Sequence, residues 1–242
     1  MANLLSDNFF ADYFARLIQG VMPKSYAQAY GEVLVTRDAL YNLSGDGVRS
    51  CGNWEGVPGD RVGQHAEEHR FPYGPVVIIA PFNFPLEIPA LQLAGALSMG
   101  NKVLIKGASP VDVVIEQFIR LLLSCGMPKN DVALIHCSGL TMEDIIRQTH
   151  PAMTQFTGSS KVAQRLLFLT RGKIKIEDSG FNWKILGPDC PLQNNQLLDY
   201  VAWQCDQDAY AASGQKCSAQ SLLFVHNNWK KAGIVEKIVV SA

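Results

Sequence analysis

The segment Ala211-Ala212-Ser213-Gly214-Gln215-Lys216-Cys217-Ser218-Ala219 sets a cysteine in a small-residue loop between a predicted helix and a predicted strand. Upstream, in order, stand Pro81-Phe82-Asn83-Phe84-Pro85 behind an apolar strand, then Lys106, Gly158-Ser159 and Glu177. One chain thus carries a nucleophilic sulfur, a side-chain amide, a cation, a helix start suited to phosphate and a carboxylate. Oxidation of an aldehyde through a thioester calls for those five chemical types.

Each residue has a chemical reading and an ordinary one. A free thiol titrates at about 8.5, so Cys217 needs an electropositive or hydrogen-bonded setting to act as a nucleophile near neutrality; its ordinary use is as a small buried hydrophobe. Asn83 sits where a buried strand meets its helix and carries a side-chain amide able to donate a hydrogen bond, yet asparagine beside proline is also a common turn former. Glu177 is a carboxylate at a strand end, where a solvated acid is the ordinary reading and a partly desolvated one could exchange protons. Lys106 ends a parallel strand at the carboxyl edge, where open α/β sheets bind ligands. Gly158-Ser159 permits close backbone approach at a helix start, which suits a pyrophosphate. No G-x-G-x-x-G fingerprint accompanies it. The histidines at 65, 69, 136, 150 and 226 have no metal-ligand spacing, so no metal site is expected. A Cys-His hydrolase would need one of them to meet Cys217 in space.

The elements that must position these groups follow from periodicity. Phe10, Phe14, Leu17 and Val21 recur at helical spacing, predicting a helix over 8–21 that ends before Pro23. A second helix or turn region follows, and the glycine-rich stretch 45–63 predicts loop. From residue 75 short apolar runs alternate with helical patterns. Strands are predicted at 76–80, 102–106, 132–136, 153–157, 173–177, 183–186 and 218–225. Helices are predicted at 86–99, 111–125, 141–148, 160–170 and 198–212. Five-residue strands apolar on both faces, alternating with helices, predict an open parallel Rossmann-like α/β sheet covered on both sides.

Composition bounds the rest. The chain has 242 residues, 48% hydrophobic and 18% charged, with a net charge of −1. So balanced a charge argues against nucleic acid or an anionic membrane surface as partner. The most apolar run, 76–105, is interrupted by Pro81, Asn83, Pro85, Glu87 and Pro89, so no membrane insertion is expected. Six scattered cysteines without a C-x-x-C pair suit a reducing compartment. The amphipathic N-terminus has neither secretory nor transit-peptide character, which leaves a cytoplasmic address open.

Four ordered motifs resemble the aldehyde dehydrogenase superfamily: Phe82-Asn83-Phe84-Pro85, Phe156-Thr157-Gly158-Ser159, Ile176-Glu177-Asp178 and Gly214-Gln215-Lys216-Cys217. Within it, Phe71-Pro72-Tyr73-Gly74-Pro75, the run from Phe181 to Asp189 and the run from Cys205 to Ala211 look like the plant-type Δ1-pyrroline-5-carboxylate dehydrogenases. The resemblance implies an NAD- or NADP-linked oxidation of a small aldehyde, glutamate γ-semialdehyde first among them. It implies Cys217 as nucleophile, Asn83 as oxyanion donor and Glu177 as base, with Lys106, Ser109, Gly158, Ser159, Pro81 and Phe82 at the cofactor. NAD is the expected cofactor. Many family members hold the adenosine ribose with a glutamate where this chain has Ser109, so NADP is not excluded.

Residues 1–178 are expected to form N-terminal helices and the nucleotide-binding domain, and 179–242 the beginning of a second α/β catalytic domain. A half-length chain, a mitochondrial location and the homo-oligomers of full-length members are further expectations from the resemblance. The rival reading is an inactive fragment or a dinucleotide-fold binding or assembly subunit.

Overall fold

The computed structural model describes residues 1–45, 47–49, 56–67 and 69–241; Cys51 and part of the predicted 45–63 loop lie outside them. That loop also contains a strand. β1 (Gly56–Pro58) pairs antiparallel with β2 (His65–Glu67), both exposed along their length. Three-residue exposed strands carry no alternation of apolar and polar residues, so no periodic signal marks them.

A five-stranded parallel sheet forms the centre. It consists of β3 (Pro75–Ile79), β4 (Lys102–Lys106), β5 (Val132–Leu134), β6 (Met153–Gly158) and β7 (Ile174–Asp178), in the order β5-β4-β3-β6-β7. The strand order reverses between β3 and β6, which opens a crevice at their carboxyl ends. Val76, Ile78, Val103 and Ile105 face one way and pack with the helices Asn8–Val21, Tyr26–Asn42, Glu87–Ser98 and Asp112–Ser124. Val77 and Phe156 face the other way, against Met142 and Ile146 of Gly139–Thr149 and Ala163 and Leu166 of Ser160–Leu169. Helices therefore cover both faces, as the doubly apolar strands require. The second helix region is a continuous helix, Tyr26–Asn42, started by a capping box in which Ser25 and Gln28 exchange hydrogen bonds.

Beyond β7, a two-stranded parallel sheet joins β8 (Asn182–Leu186) to β9 (Gln220–Val225). Leu186, Leu198, Ala202, Trp229 and Ile234 make a small separate core between this sheet and the helices Asn195–Tyr210, Asn227–Lys231 and Ile234–Ser241. The helix predicted over 198–212 instead begins at Asn195, where the Asn194 side chain accepts from Leu197 N–H, and ends at Tyr210. The chain then turns through Ala212, Ser213 and Gly214 at φ of 53°, 56° and 73°. No helix of the described residues is long and apolar enough to cross a membrane.

Candidate active site

Three chain crossings at the carboxyl edge bring the predicted residues together. The first follows β3, where the Ala80 N–H donates to the Lys106 carbonyl at 2.9 Å and Pro81-Phe82-Asn83-Phe84 turns into the helix Glu87–Ser98. That helix has no side-chain cap of its own. Glu32 supplies one from the helix Tyr26–Asn42: its Oε1 accepts from the N–H groups of Leu86 (2.9 Å) and Glu87 (3.0 Å). Its Oε2 accepts from Lys24 Nζ at 2.7 Å, with both side chains 2% exposed or less. Lys24 Nζ also lies 3.8 Å from the centroid of the Phe84 ring. The turn carrying Asn83 is thus clamped from behind by a buried ion pair, which sequence reasoning missed. Nearby Glu87 is pushed above the usual carboxylate range by burial first and by the Glu32 charge second.

The second crossing follows β6. Parallel pairing sets Thr157 beside Glu177 and Gly158 beside Asp178. The Thr157 hydroxyl accepts from Gln92 Nε2 at 3.0 Å, tying this strand end to the helix behind Asn83. Gly158 is required by packing: a Cβ there would stand 2.7 Å from Cζ of Phe156. Ser159 is the N-cap of Ser160–Leu169 but makes no side-chain cap bond. An uncapped helix start presents backbone N–H groups to an anion. The Ser179 N–H donates to the Gly158 carbonyl (3.1 Å), and Ser160 Oγ donates to the Ser179 carbonyl (2.9 Å), which fixes how the chain leaves β7.

The third crossing is the left-handed turn into Cys217. Non-glycine residues at positive φ carry strain of about 1–2 kcal/mol each, and two of them here, Ala212 and Ser213, reverse the chain within four residues. The Asn182 side chain then grips the loop: Nδ2 donates to the carbonyls of Cys217 at 2.6 Å and Ala219 at 2.9 Å. A register shift between Asn182 and Trp183 marks a bulge where this contact is made.

A cleft of about 510 Å³ lies between the three crossings. Pro81, Phe82 and Asn83 form one wall, Gly158, Ser159 and Glu177 a second, and Lys216 and Cys217 the third. The Cys217 thiol is pushed above its ordinary value by burial first, then by hydrogen bonding to the Glu177 carboxylate and by that group's charge. The backbone N–H groups of Ser218 and of Cys217 itself act in the opposite direction. Burial and the Glu177 carboxylate thus favour the thiol form of Cys217, where an electropositive loop would favour the thiolate. Glu177 itself is exposed on the edge strand β7, contrary to the partly desolvated setting expected of it. No strand of the described residues lies outside β7 to cover it.

Lys106 lies outside this cleft. It lines a neighbouring cavity of about 360 Å³ with Ile79, Gly139 and Leu166, between the start of Gly139–Thr149 and the flank of Ser160–Leu169. Its Nζ donates to the Gly107 carbonyl at 2.8 Å. Ser109 stands on an exposed turn and lines neither cavity. An ammonium at one strand end and an uncapped helix start at the next suit an elongated, phosphate-bearing ligand laid along the edge.

The profile of the aldehyde dehydrogenase family matches residues 1–242. The chain is 56% identical over 237 residues to delta-1-pyrroline-5-carboxylate dehydrogenase 12A1, mitochondrial, of Arabidopsis thaliana. The match takes in 98% of this chain and 42% of that protein, so the chain spans less than half the length of its relative. Among solved structures, the NAD-dependent aldehyde dehydrogenase from Sinorhizobium meliloti superposes with a TM-score of 0.86 at 23% identity, covering 99% of this chain and 46% of that one. An NADP-dependent enzyme from E. coli gives a TM-score of 0.88 at 20% identity, with 99% and 48% coverage. These two likenesses establish the fold.

Proposed function

The chain belongs to the aldehyde dehydrogenase family, and from that premise we propose that it oxidises an aldehyde to a carboxylate through a thioester on Cys217. The observation that carries this reading is that Cys217, Glu177 and Asn83 line one cleft. In the proposed sequence the thiol gives its proton to Glu177 and the sulfur attacks the carbonyl carbon. The oxyanion of the resulting thiohemiacetal is held by the Asn83 side-chain amide and the Cys217 N–H. One such donor typically lowers the barrier by about 3 kcal/mol. Glu177, being exposed, returns that first proton to solvent; after oxidation it takes a proton from the water that opens the thioester and hands it to the departing Cys217 sulfur, and the carboxylic acid leaves. The exposure of Glu177 allows water to reach it.

The donor set along the sheet edge suits a dinucleotide, with Ser159 and Gly158 at the pyrophosphate, Lys106 and Ser109 toward the adenosine ribose, and Pro81 and Phe82 toward the reacting end. Bound there, NAD would accept the hydride from the thiohemiacetal carbon; the assignment of NAD over NADP is part of the proposal. Glutamate γ-semialdehyde, in equilibrium with pyrroline-5-carboxylate, is the proposed substrate, and a mitochondrial location goes with it; both rest on likeness to the plant relative. Residues 1–178 are proposed as the nucleotide-binding unit and 179–242 as part of the catalytic unit.

The test is NADH formation by the purified chain with pyrroline-5-carboxylate and a panel of short aldehydes, beside Cys217→Ser. Turnover lost in the variant supports the reading, and turnover that survives it overturns the role of Cys217. A second reading is a dinucleotide-fold binding subunit. Cofactor binding by folded protein without turnover on any aldehyde would select it.

A further inference from the structure

Asn182 lies 35 residues from Cys217, yet its side chain is bonded to the loop on both sides of Ser218. Two carbonyl oxygens within hydrogen-bond distance of one amide end identify that end as the NH₂ group, since an amide oxygen there would face two acceptors. The consequence concerns the peptide that joins Cys217 to Ser218. The described residues contain no cis peptide. In a trans peptide the carbonyl and the N–H point in opposite directions across a rigid plane. A carbonyl held toward Asn182 turns the N–H of Ser218 to the far side of that plane, and hydrogen bonding from that N–H favours the charged form of the Cys217 sulfur.

We propose that Asn182 is a positioning residue for the nucleophile: by holding the Cys217 carbonyl it aims the Ser218 N–H at Sγ, where it stabilises the thiolate as the proton departs. This deepens the reading of Cys217 as nucleophile and rests on it. The charged groups lining the same cleft are Glu177 and Asp178 from β7 and Lys216 from the loop. The Glu177 carboxylate disfavours a negative charge on the sulfur, and hydrogen-bond donors at the sulfur oppose it. The bulge at Asn182 has a role in this account, because it brings a β8 side chain across to the start of β9.

The experiment follows the alkylation of Cys217 by iodoacetamide from pH 6 to 11, read by mass spectrometry of its peptide, in the unmodified chain and in Asn182→Ala and Asn182→Asp. A hydrogen bond to a charged group is strong enough to change such a rate by about tenfold. Both variants are expected to react about tenfold more slowly below pH 9, with the profile displaced to higher pH and the rate of exposed Cys125 unchanged. Superimposable profiles in folded variants overturn the inference. Should the variants not fold, the unmodified chain still decides: the Ser218 amide proton resonance must move with the titration of Cys217, and its failure to do so overturns the inference equally. The alkylation and resonance measurements need no turnover. They can fail while Cys217→Ser still abolishes oxidation, which separates this inference from the function it rests on.

Discussion

Replacing Lys24 by methionine tests the clamp behind Asn83. Methionine keeps the length of the chain and its apolar stem, and removes only the ammonium. Glu32 then remains a buried carboxylate at 1% side-chain exposure with its cation gone. Breaking a buried pair on one side costs about 3–5 kcal/mol. Two backbone donors at a helix start, Leu86 and Glu87 N–H at 2.9 and 3.0 Å, continue to stabilise the anion. The lower end, about 3 kcal/mol, is therefore expected. Glu32→Gln breaks the pair from the other side and strands the ammonium instead, for a similar loss.

The double variant is neutral at both positions, and its glutamine oxygen still caps the helix. It should lose at least about 2 kcal/mol less than the sum of the two single variants. The assay is urea unfolding followed by far-UV circular dichroism. With a slope of about 2–3 kcal/mol/M, each single variant should lower the midpoint by about 1 M or more. Single losses below about 1 kcal/mol that add in the double variant would refute the clamp, because a screened surface pair behaves that way.

Three further outcomes are expected. Glu177→Gln removes the acceptor and the charge that hold the Cys217 proton, so iodoacetamide should label Cys217 faster while aldehyde oxidation falls. A screened charge pair is worth about 1 kcal/mol, or about fivefold in rate, and slower labelling would contradict the contact. Asp208 is held below its ordinary value of 3.8 chiefly by its hydrogen bond to Lys184. A depressed carboxylate contributes stability that is present above that value and lost as pH falls through the folded one. Asp208→Asn should accordingly lose stability at pH 7 and narrow its distance from the unmodified chain by pH 3; an unchanged gap in urea midpoints argues against it. Gly158→Ala forces a methyl against the buried Phe156 ring, and overpacking of this kind costs about 1–3 kcal/mol. Its melting temperature and its affinity for NADH, followed by fluorescence, should both fall, and retention of both would count against the packing argument.

The sheet was legible in the sequence because its strands are short, apolar on both faces and punctuated by glycine, proline and asparagine. Lys102–Lys106 has its predicted bounds for that reason. Asn83, Gly158, Glu177 and Cys217 could be singled out because each stands at or just beyond the end of a periodic element, where side chains are free for chemistry. What could not be read was the support beneath them. Asn182 and Glu32 act on backbone groups 35 and 54 residues away, and a backbone partner leaves no trace in residue type. The exposure of Glu177 was hidden likewise, since burial at a strand end depends on what lies beside the sheet, not on the strand's own residues. The left-handed turn at Ala212 and Ser213 uses residues that rarely adopt it, so composition pointed to more helix.

The pairing of Thr157 with Glu177 and of Gly158 with Asp178 has a consequence for inheritance. The Gly158-Ser159 turn and the carboxylate are neighbours on a single plate of hydrogen-bonded strands, whereas the sulfur travels with β8 and β9. Recombination near Ser179 would therefore hand down the carboxylate with the turn proposed to hold the cofactor and exchange the sulfur together with its amide support at Asn182. Chimaeras joined there should keep dinucleotide preference from one parent and thiol reactivity from the other.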